Sequence, residues 1–193
     1  MKKLTFTMTL LSITFTLVFS QALLATVITS EQEFSEGLKP IQISTPIEQN
    51  LKIISKDQLS KFSVQTQDLL LTASLANQTK DWKPRLSNAY KRSLEVVYNW
   101  HQDPSFDFAL CVSRPGVLAF NYVGTPNIYL CRSFFDLSEG AKIQIMVHEI
   151  AHAAGEANEC MATSYEIMSV LGAGWPIYYR NGYWSECGYL GVY

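Results

Sequence analysis

Charge is sparse in this chain, and neither sign is gathered in one place. Asp, Glu, Lys and Arg make up only 17% of the 193 residues, and the formal net charge is −2. No basic stripe runs along any segment. That argues against a nucleic-acid partner, because gripping a phosphate backbone takes clustered Lys and Arg. Cysteine is also scarce. There are four, Cys111, Cys131, Cys160 and Cys187, all in the C-terminal half. No two of them form a C-x-x-C pair, so a cysteine-built zinc site fails on spacing. The chain has no internal repeat, no low-complexity tract and no obvious wall-binding module. Histidine is rarer still, with three in all.

The N-terminus carries Lys2 and Lys3, then an apolar core over residues 4–19 broken only by threonines and a serine. Ser20-Gln21-Ala22 is a small-x-small cleavage site, so residues 1–22 read as a signal peptide. The apolar stretch runs on to Ile28 and is nearly long enough to span a bilayer, so a retained anchor is the alternative. No cysteine follows the core, and a lipoprotein anchor is not indicated. Cleavage after Ala22 leaves 171 residues, one ordinary domain, with 13 basic and 17 acidic residues and a net charge of −4. A secreted or periplasmic protein is expected, without stable membrane association after cleavage. Four cysteines in an exported chain favour two disulfides.

Two of the three histidines stand in H-E-I-A-H at 148–152, within AKIQIMVHEIAHAAGE. Histidines four apart on a helix point to one side and can offer two imidazole nitrogens to one zinc ion. Glu149 then lies beside the open metal position, where it can take a proton from a bound water. Ile143, Met146, Val147, Ile150, Ala151, Ala153 and Ala154 surround the motif with apolar or small side chains, and a helix apolar all round is buried. Buried imidazoles and a buried carboxylate need partners, and a zinc ion supplies one to all three. Asp136 and Glu139 have capping-box spacing before the apolar run. Gly155 falls where a left-handed helix end is expected. The third histidine, His101, reads either as a further ligand or donor, or as a residue of a helix's last turn that suits the dipole.

Elsewhere the patterning is coarser. Residues 23–54 are mostly polar after the apolar start and read as an extended or flexible lead, or a pro-segment. Residues 56–78 carry helical spacing without glycine or proline. Pro84 suits the first turn of a second helix, whose spacing runs through Leu86, Tyr90, Leu94, Val97 and Tyr98 towards Asp103-Pro104. Residues 106–112, 117–122 and 127–131 look like strands, the last after a Gly124-Thr125-Pro126 turn. Residues 159–171 read as a short helix stopping at Gly172-Ala173-Gly174. The expected architecture is α+β: a zincin-like single domain over 55–193, with N-terminal helices, a small antiparallel sheet, the metal helix and a short companion.

The block IYLCRSFFDLSEGAKIQIMVHEIAH (128–152) resembles the deuterolysin-like zinc endopeptidases, the aspzincins. There too a strand ending in cysteine leads through an aromatic pair into a capped helix bearing H-E-x-x-H. A-T-S-Y-E-I-M (162–168) is similar to that family's tyrosine-bearing helix. The resemblance lies wholly in the C-terminal half of the chain. It implies a secreted single-domain zinc peptidase with His148 and His152 as ligands and Glu149 as general base. The family's third ligand is an aspartate in a G-T-x-D element, but this chain has Gly155-Glu156-Ala157-Asn158-Glu159. N-E-C-M-A (158–162) also looks like the glutamate-bearing helix of gluzincins. The family's lysine preference is therefore not carried over.

The expected activity is zinc-dependent endopeptidase cleavage of a protein or peptide by a monomer. Glu159 is the expected third ligand, because it pairs a charged donor with a helix start. Glu166 is its competitor or a group that orients a histidine, and Glu156 and Asn158 are weaker rivals. Tyr165, Tyr178 and Tyr183 are candidates to steady an oxyanion. Cys111–Cys131 would join neighbouring strands, and Cys160–Cys187 would tie the tail to the helix after the metal motif. Two other functions fit the same residues: a non-catalytic exported binding module on a zincin fold, and a hydrolase of cell-wall peptides.

Overall fold

The glycine-free stretch after Ser55 folds as one long helix, α1 (Lys56–Ala76). A reciprocal cap starts it: Ser55 Oγ accepts the Gln58 amide at 3.3 Å, and the Gln58 side chain accepts the Ser55 amide at 3.2 Å. Leu59, Phe62, Thr66, Leu69, Leu70 and Ala73 form its buried stripe at three- and four-residue steps. The computed structural model describes residues 24–28, 35–43, 55–103, 105–174 and 187, and for 24–28 the backbone only. The expected signal peptide lies outside the described residues. No helix among the described residues is long and apolar enough to cross a membrane.

Helix α2 (Trp82–Ser93) stops earlier than its spacing predicts. Val97 and Tyr98 belong instead to strand β3 (Val97–Asn99). The β-branched pair Val96-Val97 suits a strand, and the Val97 amide finds the Pro126 carbonyl at 2.9 Å. The expected strand over 106–112 is also corrected. Only Phe106–Phe108 is extended (β4), and Ala109–Ser113 turns into a short helix, α3.

Two further strands, β1 (Leu24–Ile28) and β2 (Pro40–Gln42), fall inside the 23–54 stretch. Strands β5 (Val117–Tyr122) and β6 (Asn127–Leu130) form a hairpin. The main sheet has the order β1-β5-β6-β3 and is mixed, not antiparallel as expected. Only β5–β6 is antiparallel, while β1–β5 and β3–β6 are parallel. Strands β3 and β1 reach the sheet from distant parts of the chain, and a one-chain pattern carries no sign of their direction. A separate antiparallel pair joins β2 to β4.

The sheet divides the core. On one face Leu118, Ile128 and Leu130 meet α1, α2 and the two C-terminal helices, through Leu69, Leu70, Leu86, Met146 and Ile150. On the other, Phe120 stacks on Tyr129 at 5.0 Å, and Phe108 meets both rings edge-on. This second layer contains the Cys111–Cys131 disulfide. A 3-10 turn, Arg132–Asp136, leads from β6 to α4 (Glu139–Ala153), and α5 (Glu159–Ala173) follows. The cap of α4 is Ser138, whose hydroxyl accepts the Ala141 amide at 3.4 Å. Asp136 is not the cap, because it still belongs to the 3-10 turn.

Candidate metal centre

Helix α4 is deeply buried, with every residue from Lys142 to Ala153 enclosed. It sits between the sheet and α5, so its polar residues must find partners inside the fold. The helix closes at Gly155, whose φ of 102° is one that L side chains rarely adopt. Gly155 donates its amide to the His152 carbonyl at 2.9 Å. Gly124, in the β5–β6 turn, donates to the same carbonyl at 2.9 Å and pins the hairpin to the helix end. Three residues past Gly155, Asn158 Oδ1 accepts the Met161 amide at 2.9 Å and starts α5. Glu159 is the first residue of that helix.

This short reversal brings α5 alongside the histidines. His148 and His152 are both 0% exposed, and their Nε2 atoms lie 3.0 Å apart. Glu159 reaches both, with Oε2 3.0 Å from His148 Nε2 and Oε1 3.7 Å from His152 Nε2. The three ligand atoms lie within 4.8 Å of one another. Glu159 is also the member of this trio nearest solvent, its side chain 33% exposed.

The backs of the two rings are held separately. His148 Nδ1 is 2.7 Å from Glu166 Oε1, two turns along α5 from Glu159. His152 Nδ1 is 2.5 Å from the Glu156 carbonyl oxygen. A carbonyl or a carboxylate only accepts, so each Nδ1 is the N–H that donates. The two Nε2 atoms and the Glu159 carboxylate therefore face one another at one point, a donor set of the kind that holds a cation. Burial pushes the Glu159 carboxyl towards its neutral form. Hydrogen bonds to His148 and His152, and the charge those rings can carry, outweigh it and hold the group well below the usual carboxylate range.

A divalent metal fits this donor set. Two imidazole nitrogens and one carboxylate oxygen match the three-ligand zinc sites that leave a place for water. The Nδ1 contacts match the outer hydrogen bonds that fix a ligating histidine's tautomer. Glu149, on the same helix, is 0% exposed.

The remaining candidates fall elsewhere. Glu156 turns its side chain to Arg85 and to the Asn158 amide, and contributes its main chain to the site. Asn158 is occupied as a helix cap. Tyr165 packs edge-on against Trp82 at 5.3 Å, and burial raises its pKa, against the lowering effect of the nearby Arg85. Tyr178 and Tyr183 lie outside the described residues. His101 follows β3 instead of ending a helix, and its ring packs on Phe108 at 4.5 Å. Among the described residues, Asp107, Cys111 and Cys131 also cluster, but both sulfurs are joined to each other and offer no thiolate. Cys160, beside Glu159, is disulfide-bonded to Cys187. The Glu156 carbonyl is the functional group that side-chain reasoning missed. The glycine turn straight after a helix-end histidine was its one signal. Comparison with protein families, curated proteins and solved structures finds no match for this chain.

Proposed function

We propose that this protein is a zinc-dependent hydrolase of peptide bonds, with His148, His152 and Glu159 as the metal ligands. The observation that carries the reading is the convergence of two Nε2 atoms and a carboxylate, each ring tied by its Nδ1 to a fixed acceptor. Bound there, zinc would supply Lewis acidity, lowering the pKa of a water and polarising the scissile carbonyl. Glu149 would be the general base there, accepting a proton from the attacking water and returning it to the departing amine. Glu166 and the Glu156 carbonyl hold the imidazoles by Nδ1, in the orientation that turns each Nε2 towards Glu159. The buried walls of α4 and α5 keep the surroundings poor in water, which strengthens each of these electrostatic contacts.

The resemblance to the aspzincins rests on the motifs quoted above. The replacement of their aspartate region by a capping Asn158 and an adjacent Glu159 supports a ligand set of two histidines and a glutamate. The test is turnover of casein by the purified protein, with and without a chelator, beside Glu149→Gln. The amide is nearly the same size but cannot act as a base at neutral pH. A loss of about 10²–10⁴ in rate with zinc retained is expected. Activity within a few-fold of the parent would point to another base. Zinc binding with no turnover of any peptide would favour the non-catalytic binding module.

A further inference from the structure

We infer that Arg85, on α2, is a positioning residue for the metal centre, acting through Glu156 on the imidazole of His152. The inference rests on the metal reading above. The contact to His152 Nδ1 comes from the main-chain carbonyl of Glu156. That peptide lies in the loop between α4 and α5, directly after Gly155 with its φ of 102°. Where the carbonyl sits sets the angle of the His152 ring and the direction of its Nε2 lone pair.

The Glu156 side chain fixes this peptide from both carboxylate oxygens. Oε1 accepts the Asn158 amide at 3.1 Å, within the loop. Oε2 pairs with Arg85 Nη1 at 3.4 Å, across 71 positions of sequence. Arg85 is itself held in place. Its guanidinium lies 6.0 Å from the Trp82 ring centre, and the Tyr165 ring meets Trp82 edge-on at 5.3 Å. A residue of α5 and two of α2 therefore fasten the loop that carries the carbonyl. An ion pair this open to water adds little to overall stability. Its effect is local: it limits the loop's freedom to swing the carbonyl away from Nδ1.

Groups bonded directly to a ligating histidine typically change metal affinity by about 10–100-fold. Arg85 acts one bond further out, so a smaller effect is expected. The experiment measures zinc release from the loaded protein into a chromophoric chelator. The variants are Arg85→Gln, Arg85→Lys, Glu156→Gln and the Arg85→Gln/Glu156→Gln double. Release about three- to tenfold faster is expected for each glutamine variant. Arg85→Lys should restore part of it, and the double should match the singles because both act through one link. Melting of the metal-free forms should stay at the parent's value. Parental release from Arg85→Gln, or effects that simply add in the double, would overturn the inference. A parent that takes up no zinc would instead overturn the metal reading, and the inference with it.

Discussion

Glu159 and Glu166 stand two turns apart on α5 and approach the His148 imidazole from opposite sides, one at Nε2 and the other at Nδ1. The two carboxylates therefore do different work. Glu159→Ala removes a donor and should abolish tight zinc binding. Glu166→Gln keeps the shape but gives up the acceptor's charge, and should weaken zinc by about 10–100-fold. Competition titration against a chelator of known affinity separates them, and the reverse order would make Glu166 the ligand. His148, Glu149 and His152 were legible because their geometry is local to one helix. The sequence put Glu159 ahead of Glu166, Glu156 and Asn158 as the expected third donor, and the fold brings its carboxylate to both rings. The Glu156 carbonyl was not legible, since every residue has one and only the fold aims it.

The α4–α5 reversal is the element on which the site depends. Gly155 allows the turn, and Asn158 both ends the loop and caps α5 one residue before Glu159. Asn158→Ala should cost about 1 kcal/mol in the metal-free protein, the usual worth of such a cap. It should also weaken zinc, because the first turn of α5 aims the Glu159 carboxylate. Urea unfolding and zinc competition on the same variant check both effects. A stability loss with unchanged zinc affinity would mean that the cap does not place the ligand. Elements with long periodic stretches, α1, α4 and α5, and the hairpin strands β5 and β6 could be read from the chain. Strands β1 and β3 could not, since each is paired only with a strand distant in sequence and takes its conformation from that partner. Helix α3 was hidden for the same reason: an apolar run of that length suits strand and helix alike.

Across the whole molecule, the sheet and α1 form a scaffold against which α4 and α5 are packed, and the candidate metal lies where those two helices meet. The two disulfides frame this region. Cys111–Cys131 holds the layer behind the sheet, and Cys160–Cys187 ties Cys187 to the first turn of α5, next to Glu159. A metal that binds only the folded state stabilises it by mass action, about 2.7 kcal/mol at a free concentration one hundred times Kd. The most direct measurement is therefore the metal content of the purified protein, by elemental analysis, beside His148→Ala. One zinc per chain is expected in the parent and little in the variant. A parent without zinc after exposure to it, or a variant with full occupancy, would contradict a metal centre built on His148, His152 and Glu159.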